Sequence, residues 1–214
     1  MLFELFSGQL GLLGFLVWGV SLVIVVTVHE FSHAFVAEKL GDGTPRLLGR
    51  VTLNPLAHLD PLGTLMIVLT RFGWGKPVSI NPFNFENPLR DSALVSLAGP
   101  ASNLIFAFLL ALPLRAGLIP LFLIYPYLSV IALNVGLAVF NLIPIYPLDG
   151  FRIVAGILPT KLALSWEQTA QYGFILIMVF VFLPLGNTSL ISLFVQPVAQ
   201  TFLKLILGSS VPLF

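Results

Sequence analysis

This sequence contains no cysteine and few charged residues. Of its 214 residues only 9% are Asp, Glu, Lys or Arg, and the formal net charge is +1. The absence of cysteine excludes a disulfide framework and thiolate ligands, so any metal must be held by nitrogen and oxygen atoms. Because there is no basic tract, we expect no nucleic-acid partner. The N-terminus lacks the basic region and cleavage site of a signal peptide, so we expect the first apolar segment to be retained.

Apolar residues make up most of the chain. They account for 57% of it, and the mean hydropathy is +1.02. A soluble domain, by contrast, has about a quarter of its residues charged. These values predict an all-α, polytopic membrane protein, a helix bundle of five to six spans embedded in the lipid bilayer. We expect a single domain over residues 1–214, with a core at 9–158 and a C-terminal helical hairpin at 165–208.

The first apolar segment, residues 9–39, contains the motif HExxH. Its histidines, His29 and His33, fall one helical turn apart on the same face, with Glu30 beside them. This pattern is typical of zinc sites, in which a carboxylate can act as general base on the metal-bound water. A chance match with packed core histidines is the alternative. It is disfavoured because an ionisable group inside a bilayer costs at least about 2.5 kcal/mol.

A second polar stretch, NLIPIYPLDG at residues 141–150, ends a later apolar segment. Its prolines, Pro144 and Pro147, break the helix and redirect the chain. Asp149 could then approach the histidine pair and complete a shell of two histidines and one carboxylate, with a fourth position open for water. The alternative is that Asp149 caps a short helix starting near Gly150.

The chain between residues 41 and 90 changes character. Residues Leu47–Leu53 are β-prone, and His58 could be a ligand, a proton carrier or a structural hydrogen-bonding group, of which we expect the last. Residues 61–72 are apolar but too short to span, and residues 73–90 are rich in Gly, Pro and Asn. A re-entrant element lining the access route would explain this pattern. An interfacial loop explains it equally well, anchored by the aromatic residues Phe72, Trp74, Phe83 and Phe85.

Positive charge is unevenly distributed around the first span. Lys39, Arg46 and Arg50 follow it, whereas no Lys or Arg precedes it. The positive-inside rule then places the C-terminal end of this helix in the cytosol. We therefore expect a multi-pass protein of the cell membrane with its polar site nearer the cytosolic side.

Taken together, HExxH in an apolar helix and NxxPxxPLDG more than a hundred residues later resemble the site-2 protease family of intramembrane zinc metalloproteases. Further motifs are similar to its small prokaryotic branch without a PDZ domain, namely LNPLAHLDPLGT at 53–64, FGWGKPVSINP at 72–82 and AGPASN at 98–103. The resemblance implies Zn²⁺ held by His29, His33 and Asp149, with Glu30 as general base. It also implies transmembrane protein substrates and a prokaryotic cytoplasmic membrane.

Two asparagines, Asn141 and Asn103, fall on motif positions of that family. Their amides could bind a substrate backbone or stabilise the transition state, and hydrogen bonding between helices is an equally good explanation.

The sequence thus predicts a zinc metalloendopeptidase that cleaves peptide bonds in or near transmembrane segments. A substrate helix must unwind before attack, and we expect the β-prone residues Leu47–Leu53 to hold it as an extended strand. A membrane metal-ion transporter or metal-regulated channel is the alternative, since it would use the same three ligands without needing Glu30. A silent binding partner for membrane helices is disfavoured because every group needed for hydrolysis is present.

Overall fold

A computed structural model describes residues 11–70, 74–185 and 188–208. The helices are α1 Gly11–Lys39, α2 Thr44–Leu47, α3 Pro61–Thr70, α4 Pro88–Arg115, α5 Leu121–Asn141, α6 Asp149–Ile157, α7 Thr160–Gln168, α8 Gly173–Phe182 and α9 Leu190–Leu207. Short 3₁₀ turns lie at Pro55–Ala57, Pro82–Asn84 and Thr169–Tyr172, and strands β1 Pro184–Leu185 and β2 Thr188–Ser189 form an antiparallel pair. The predicted all-α bundle is confirmed.

Helix α4 is the centre of the bundle, since α1, α5 and α6 all pack against it. A buried apolar cluster joins α4, α5 and α9. Its members are Ala107, Ala111, Leu114, Leu128, Ile131, Val135, Val139, Ile206 and Leu207. Small residues on α4 let the helices approach closely, as in membrane bundles. The site described below lies where α1 and α6 meet α4.

Three of the described helices, α1, α4 and α5, are long and apolar enough to cross a membrane. The sequence predicted five to six spans. Helix α3 has ten residues, about 15 Å, against a hydrocarbon core of about 30 Å. The first of the predicted C-terminal spans is not one helix, because a 3₁₀ turn separates α7 from the ten-residue α8. Within the predicted C-terminal hairpin, residues 186–187 lie outside the described part of the chain.

The predicted strand at Leu47–Leu53 is wrong. Helix α2 ends at Leu47, and the chain then closes a helix C-terminal turn, with Gly49 at φ +67° and the Arg50 N–H donating to the Pro45 carbonyl over 2.8 Å. A left-handed glycine followed by this 6→1 bond is a standard helix stop. The local stop motif outweighs β propensity, which is weak where no partner strand pairs.

Further along, residues 74–81 form no helix; they contain one β-bridge, Asn81 has extended backbone angles, and we call them the extended segment. Gly75 forms an isolated antiparallel bridge with Leu59, and the Lys76 N–H donates to the His58 carbonyl over 2.8 Å. Among the predicted aromatic anchors Phe83 is exposed and Phe85 is not, because Phe85 packs into a small core with Ala37 and Val95. Phe72 lies outside the described residues.

Candidate functional site

The two histidines of HExxH lie on the buried face of α1. His29 and His33 are 4% and 7% exposed, and their Nε2 atoms are 3.1 Å apart. The four-residue spacing of a helix brings both rings to one place. Their planes are nearly perpendicular, with centroids 4.6 Å apart.

The outer nitrogen of each imidazole faces a hydrogen-bond acceptor. Nδ1 of His33 lies 2.7 Å from the Val95 carbonyl oxygen, and Nδ1 of His29 lies 2.9 Å from Oδ1 of Asn103. Both Nδ1 atoms must therefore carry the proton in the neutral rings, a tautomer that we assign from this network. Both Nε2 lone pairs are then left to point at the same spot, as in histidines that bind a metal.

Asp149 brings a third acceptor to that spot. Its Oδ2 lies 3.2 Å from Nε2 of His29 and 3.3 Å from Nε2 of His33. The three residues form a group able to hold a metal ion. The capping alternative is wrong, since Asp149 is the first residue of α6, and the cap position, Leu148, has no side-chain bond.

The donor set fits zinc. Ligand atoms about 2.0–2.1 Å from a tetrahedral ion lie about 3.3 Å from one another, close to the separations of these three atoms. No hydrogen-bond donor among the described residues pairs with the buried Oδ2 of Asp149. Three converging acceptors without a shared proton repel one another unless a cation lies between them. With three protein ligands, a fourth position stays open for water.

Helix α4 closes one side of this group without filling it. The backbone of Gly99 faces both rings, and an ideal Cβ there would lie 2.5 Å from Nε2 of His33 and 2.6 Å from Cε1 of His29. Real Cβ atoms do not approach other atoms so closely. The lack of a side chain at Gly99 therefore keeps room for the imidazoles and a metal.

Glu30 is held by the extended segment. Its Oε2 accepts the Val78 N–H over 3.1 Å and lies 3.8 Å from Nη2 of Arg50. An ideal Cβ on Gly75 would lie 3.8 Å from Oε1, so the backbone of this segment passes directly beside the carboxylate. The orientation of Glu30 thus depends on a chain segment that follows it by more than 40 residues.

Arg50, one of the positive charges that orient the first span under the positive-inside rule, is a buried cation next to Glu30. It is 4% exposed; Nη1 donates to the Pro77 carbonyl over 3.0 Å, and Nη2 donates to the Lys76 carbonyl. These bonds tie the extended segment to the turn after α2. Arginine side chains are usually exposed, so the sequence did not indicate that Arg50 holds this segment. Only the packing of the folded chain shows it.

His58 is fully buried near Arg50. Its Nε2 donates to the Thr52 carbonyl over 2.8 Å, and Nδ1 lies 3.4 Å from Nη2 of Arg50. Burial, together with the Arg50 charge, lowers the pKa of His58 below its usual range despite the bond to Thr52. A neutral His58 tying two turns together is the structural group that we expected, and it is not part of the metal group.

The two asparagines predicted to contact substrate differ in position. Asn103 is fully buried, with its amide engaged by His29 and by Asn134, whose Oδ1 accepts from Nδ2 over 2.9 Å. It therefore positions a histidine instead of facing a substrate. Nδ2 of Asn141 donates over 3.1 Å to the Leu137 carbonyl of its own helix, so its predicted role stays a prediction. Asn134 was missed, although a buried amide in an apolar span is a recognisable signal.

Comparison with known proteins gives the same family by two routes. A family model described as peptidase family M50 matches residues 117–185, which include Asp149. The chain is 40% identical over 182 residues to "Putative zinc metalloprotease YwhC" of Bacillus subtilis, covering 78% of this chain and 81% of that protein. It is 34% identical over 171 residues to "Putative zinc metalloprotease Rip2" of Mycolicibacterium smegmatis, covering 75% of this chain and 64% of that protein. No solved structure was found to match.

Proposed function

Because this chain belongs to peptidase family M50, the site-2 protease family, we propose that His29, His33 and Asp149 hold its zinc ion and that Glu30 is the general base. The chain is a zinc-dependent intramembrane protease. The observation that carries the assignment is the convergence of two imidazole lone pairs and one carboxylate oxygen, 3.1–3.3 Å apart, with both outer ring nitrogens held by acceptors. The comparisons give no support to a transporter.

Bound zinc lowers the pKa of a coordinated water to about 7 and polarises a carbonyl oxygen. Glu30 takes a proton from the attacking water as the water oxygen bonds to the carbonyl carbon, and it passes that proton to the amine that leaves when the C–N bond breaks. The Val78 N–H holds one oxygen of the carboxylate, which leaves the group in a fixed orientation beside His29. Asn103 and the Val95 carbonyl keep the two imidazoles in the tautomer that binds a metal.

The substrates proposed are transmembrane proteins cut in or near the bilayer. Support comes from the position of the histidines within α1, a helix long and apolar enough to span. His33 lies about 9 Å below the Lys39 end of that helix, at 1.5 Å per residue. We place that end in the cytosol because Lys39 and Arg46 follow the span, and we propose a multi-pass protein of the prokaryotic cytoplasmic membrane.

An unwound substrate needs an extended partner, and residues 47–53 do not provide one. The extended segment 74–81 is better placed, because its backbone runs beside Glu30 and its Val78 N–H touches the carboxylate. We propose that the substrate backbone lies along this segment and pairs with those of its main-chain groups that do not already bond to His58, Arg50, Glu30 or Asp42.

The decisive experiment uses the purified full chain, loaded with zinc, against a panel of single-span substrates in liposomes. We expect Glu30→Gln to retain about one zinc per chain, as a three-ligand site requires, and to lose cleavage by about 10²–10⁴-fold. The matched control is Glu38→Gln, which changes a carboxylate on the same helix that pairs with Arg46. Undiminished cleavage by Glu30→Gln would reject the base, and a native chain without zinc would reject the ligand set.

A further inference from the structure

A line of buried amides crosses three helices and ends at a zinc ligand. On α5, Oδ1 of Asn134 accepts from Nδ2 of Asn103 on α4 over 2.9 Å, and Oδ1 of Asn103 faces Nδ1 of His29 on α1 at 2.9 Å. Both asparagines are fully buried. Buried amides in apolar helices lose free energy unless their donors and acceptors are paired.

The orientation of both amides is set by Asn134 on α5. Nδ2 of Asn134 donates over 2.8 Å to the Val130 carbonyl in its own helix, so Oδ1 is the end that faces Asn103. Asn103 must then present Nδ2 to Asn134 and Oδ1 to His29. An acceptor opposite Nδ1 of His29 keeps the proton there and leaves Nε2 free to bind a metal.

The opposite orientation would disable the ligand. With the amide of Asn103 reversed, an N–H donor would face Nδ1 of His29, and the ring proton would move to Nε2. That atom would then have no lone pair for zinc. Nδ2 of Asn103 also faces the Val25 carbonyl, but at 3.5 Å, the limit of a hydrogen bond, against 2.9 Å to Oδ1 of Asn134. Asn134 is therefore the stronger of the two acceptors that decide which end of the Asn103 amide faces His29.

We propose that Asn134 is a positioning residue for the zinc site, which selects the metal-binding tautomer of His29 by orienting Asn103. The inference rests on the ligand set proposed above. In the described part of the chain, the Asn134 side chain bonds to Asn103 and to the Val130 carbonyl and not to a zinc ligand, so its effect on metal affinity passes through Asn103. A residue that only joins α4 to α5 would affect the stability of the bundle but not the zinc affinity of the folded protein.

The test measures zinc dissociation constants of the full chain in detergent, by competition with a chromogenic chelator, together with the absorption spectrum of the Co²⁺ form. Asn134→Leu keeps the branched shape and removes the acceptor. Asn134→Asp keeps an acceptor oxygen in the same place. The control is Thr27→Val on α1, since Thr27 is also a buried polar residue and, in the described part of the chain, its hydroxyl donates to the Val23 carbonyl of its own helix.

We expect Asn134→Leu to weaken zinc binding about tenfold and to alter the Co²⁺ spectrum, within the range found for outer partners of metal-binding histidines. Asn134→Asp should bind zinc more tightly than Asn134→Leu, and Thr27→Val should match the native chain. Because Asn134 acts through Asn103, the double variant Asn103→Leu/Asn134→Leu should bind zinc no more weakly than Asn103→Leu alone.

Native affinity in Asn134→Leu, or effects that multiply in the double variant, would overturn the proposal while leaving the ligand set intact. A native chain that binds no zinc would overturn both. If Asn134→Leu does not fold, Asn134→Ser replaces it, because a serine can bond the carbonyl four residues back, as Ser21 and Ser32 do in α1, without reaching Asn103. Asn134→Ser must then show the same loss of zinc affinity for the proposal to stand.

Discussion

Gly99 of α4 lies against the imidazole of His33 of α1, so closely that a Cβ on Gly99 would be 2.5 Å from Nε2. Helix α4 thus forms one wall of the metal site with its bare backbone. The same helix supplies the Val95 carbonyl and the Asn103 amide that hold the two outer ring nitrogens. Helix α4 therefore shapes the space around the two histidines of α1 and also selects their tautomers.

Adding one methyl group at Gly99 should displace the histidines. We expect Gly99→Ala to weaken zinc binding by at least about tenfold and to lower the free energy of unfolding by roughly 1–3 kcal/mol, as overpacking does. Zinc titration and thermal unfolding of the purified chain measure both effects. Gly136→Ala is the matched control, since a Cβ there meets nothing within 4 Å. Equal zinc affinity in the two variants would contradict the close approach of α4.

Removing the charge of Asp149 should empty the site. We expect Asp149→Asn to weaken zinc binding by more than about a hundredfold, the upper end of what loss of an outer partner costs. Asp91→Asn serves as the control because Asp91 is a buried carboxylate of α4 that accepts from the Asn87 N–H and does not belong to the group able to hold a metal. The zinc content after dialysis should be low in Asp149→Asn and native-like in Asp91→Asn. Full zinc occupancy in Asp149→Asn would require another third ligand.

Loss of Arg50 should slow cleavage while zinc remains bound. Arg50→Met removes the bonds to the carbonyls of Lys76 and Pro77, so the segment that holds Glu30 can shift. A displacement of about 1 Å can cost a hundredfold in rate, and we expect kcat to fall by roughly 10–100-fold. Arg46→Gln breaks an exposed Arg–Glu pair nearby and should leave kcat unchanged. A change in the zinc content of Arg50→Met, or a kcat equal to that of the native chain, would argue against a role of Arg50 in positioning Glu30.

Asp42 should make the stability of the fold pH-dependent. Burial raises its pKa, but hydrogen bonds from Thr44, Asn81 and Asn84 outweigh burial and hold the pKa below its usual range. Since the folded pKa is the lower one, the stabilisation is complete above the unfolded value of about 3.9 and is lost as the pH falls through the folded value.

Asp42→Asn should therefore lower the free energy of unfolding by about 1–3 kcal/mol at neutral pH, because the amide offers one acceptor oxygen where the carboxylate uses both to bind Thr44, Asn84 and the Asn81 N–H. The difference from the native chain should shrink as the pH falls below about 4. Melting curves from pH 3 to pH 7 test this, with Asp60→Asn as the control because, among the described residues, the Asp60 carboxylate accepts one hydrogen bond, from the Gly63 N–H. A difference that does not change with pH would contradict it.

Some interpretations of the sequence were wrong for identifiable reasons. Residues Leu47–Leu53 are β-prone, yet Gly49 ends a helix there, and none of the described strands pairs with them. Phe85 was a candidate surface anchor, but it packs on Ala37 and Val95, which come from two different helices. In each case composition described the segment correctly, and a contact or stop motif decided its structure. The single-domain boundaries stay a prediction.

The sequence by itself determined the pairing of His29 with His33, because the turn of a helix places residues four apart on one face. It also determined the membrane character and, through the PLDG motif, the candidate third ligand. Only the tertiary structure decided which groups hold these ligands: Asn103 and Asn134 behind His29, Val78 and Arg50 beside Glu30, and Gly99 against the rings. These groups lie far apart in the chain, and their contacts depend on how closely α1, α4 and α5 pack, which no local pattern encodes.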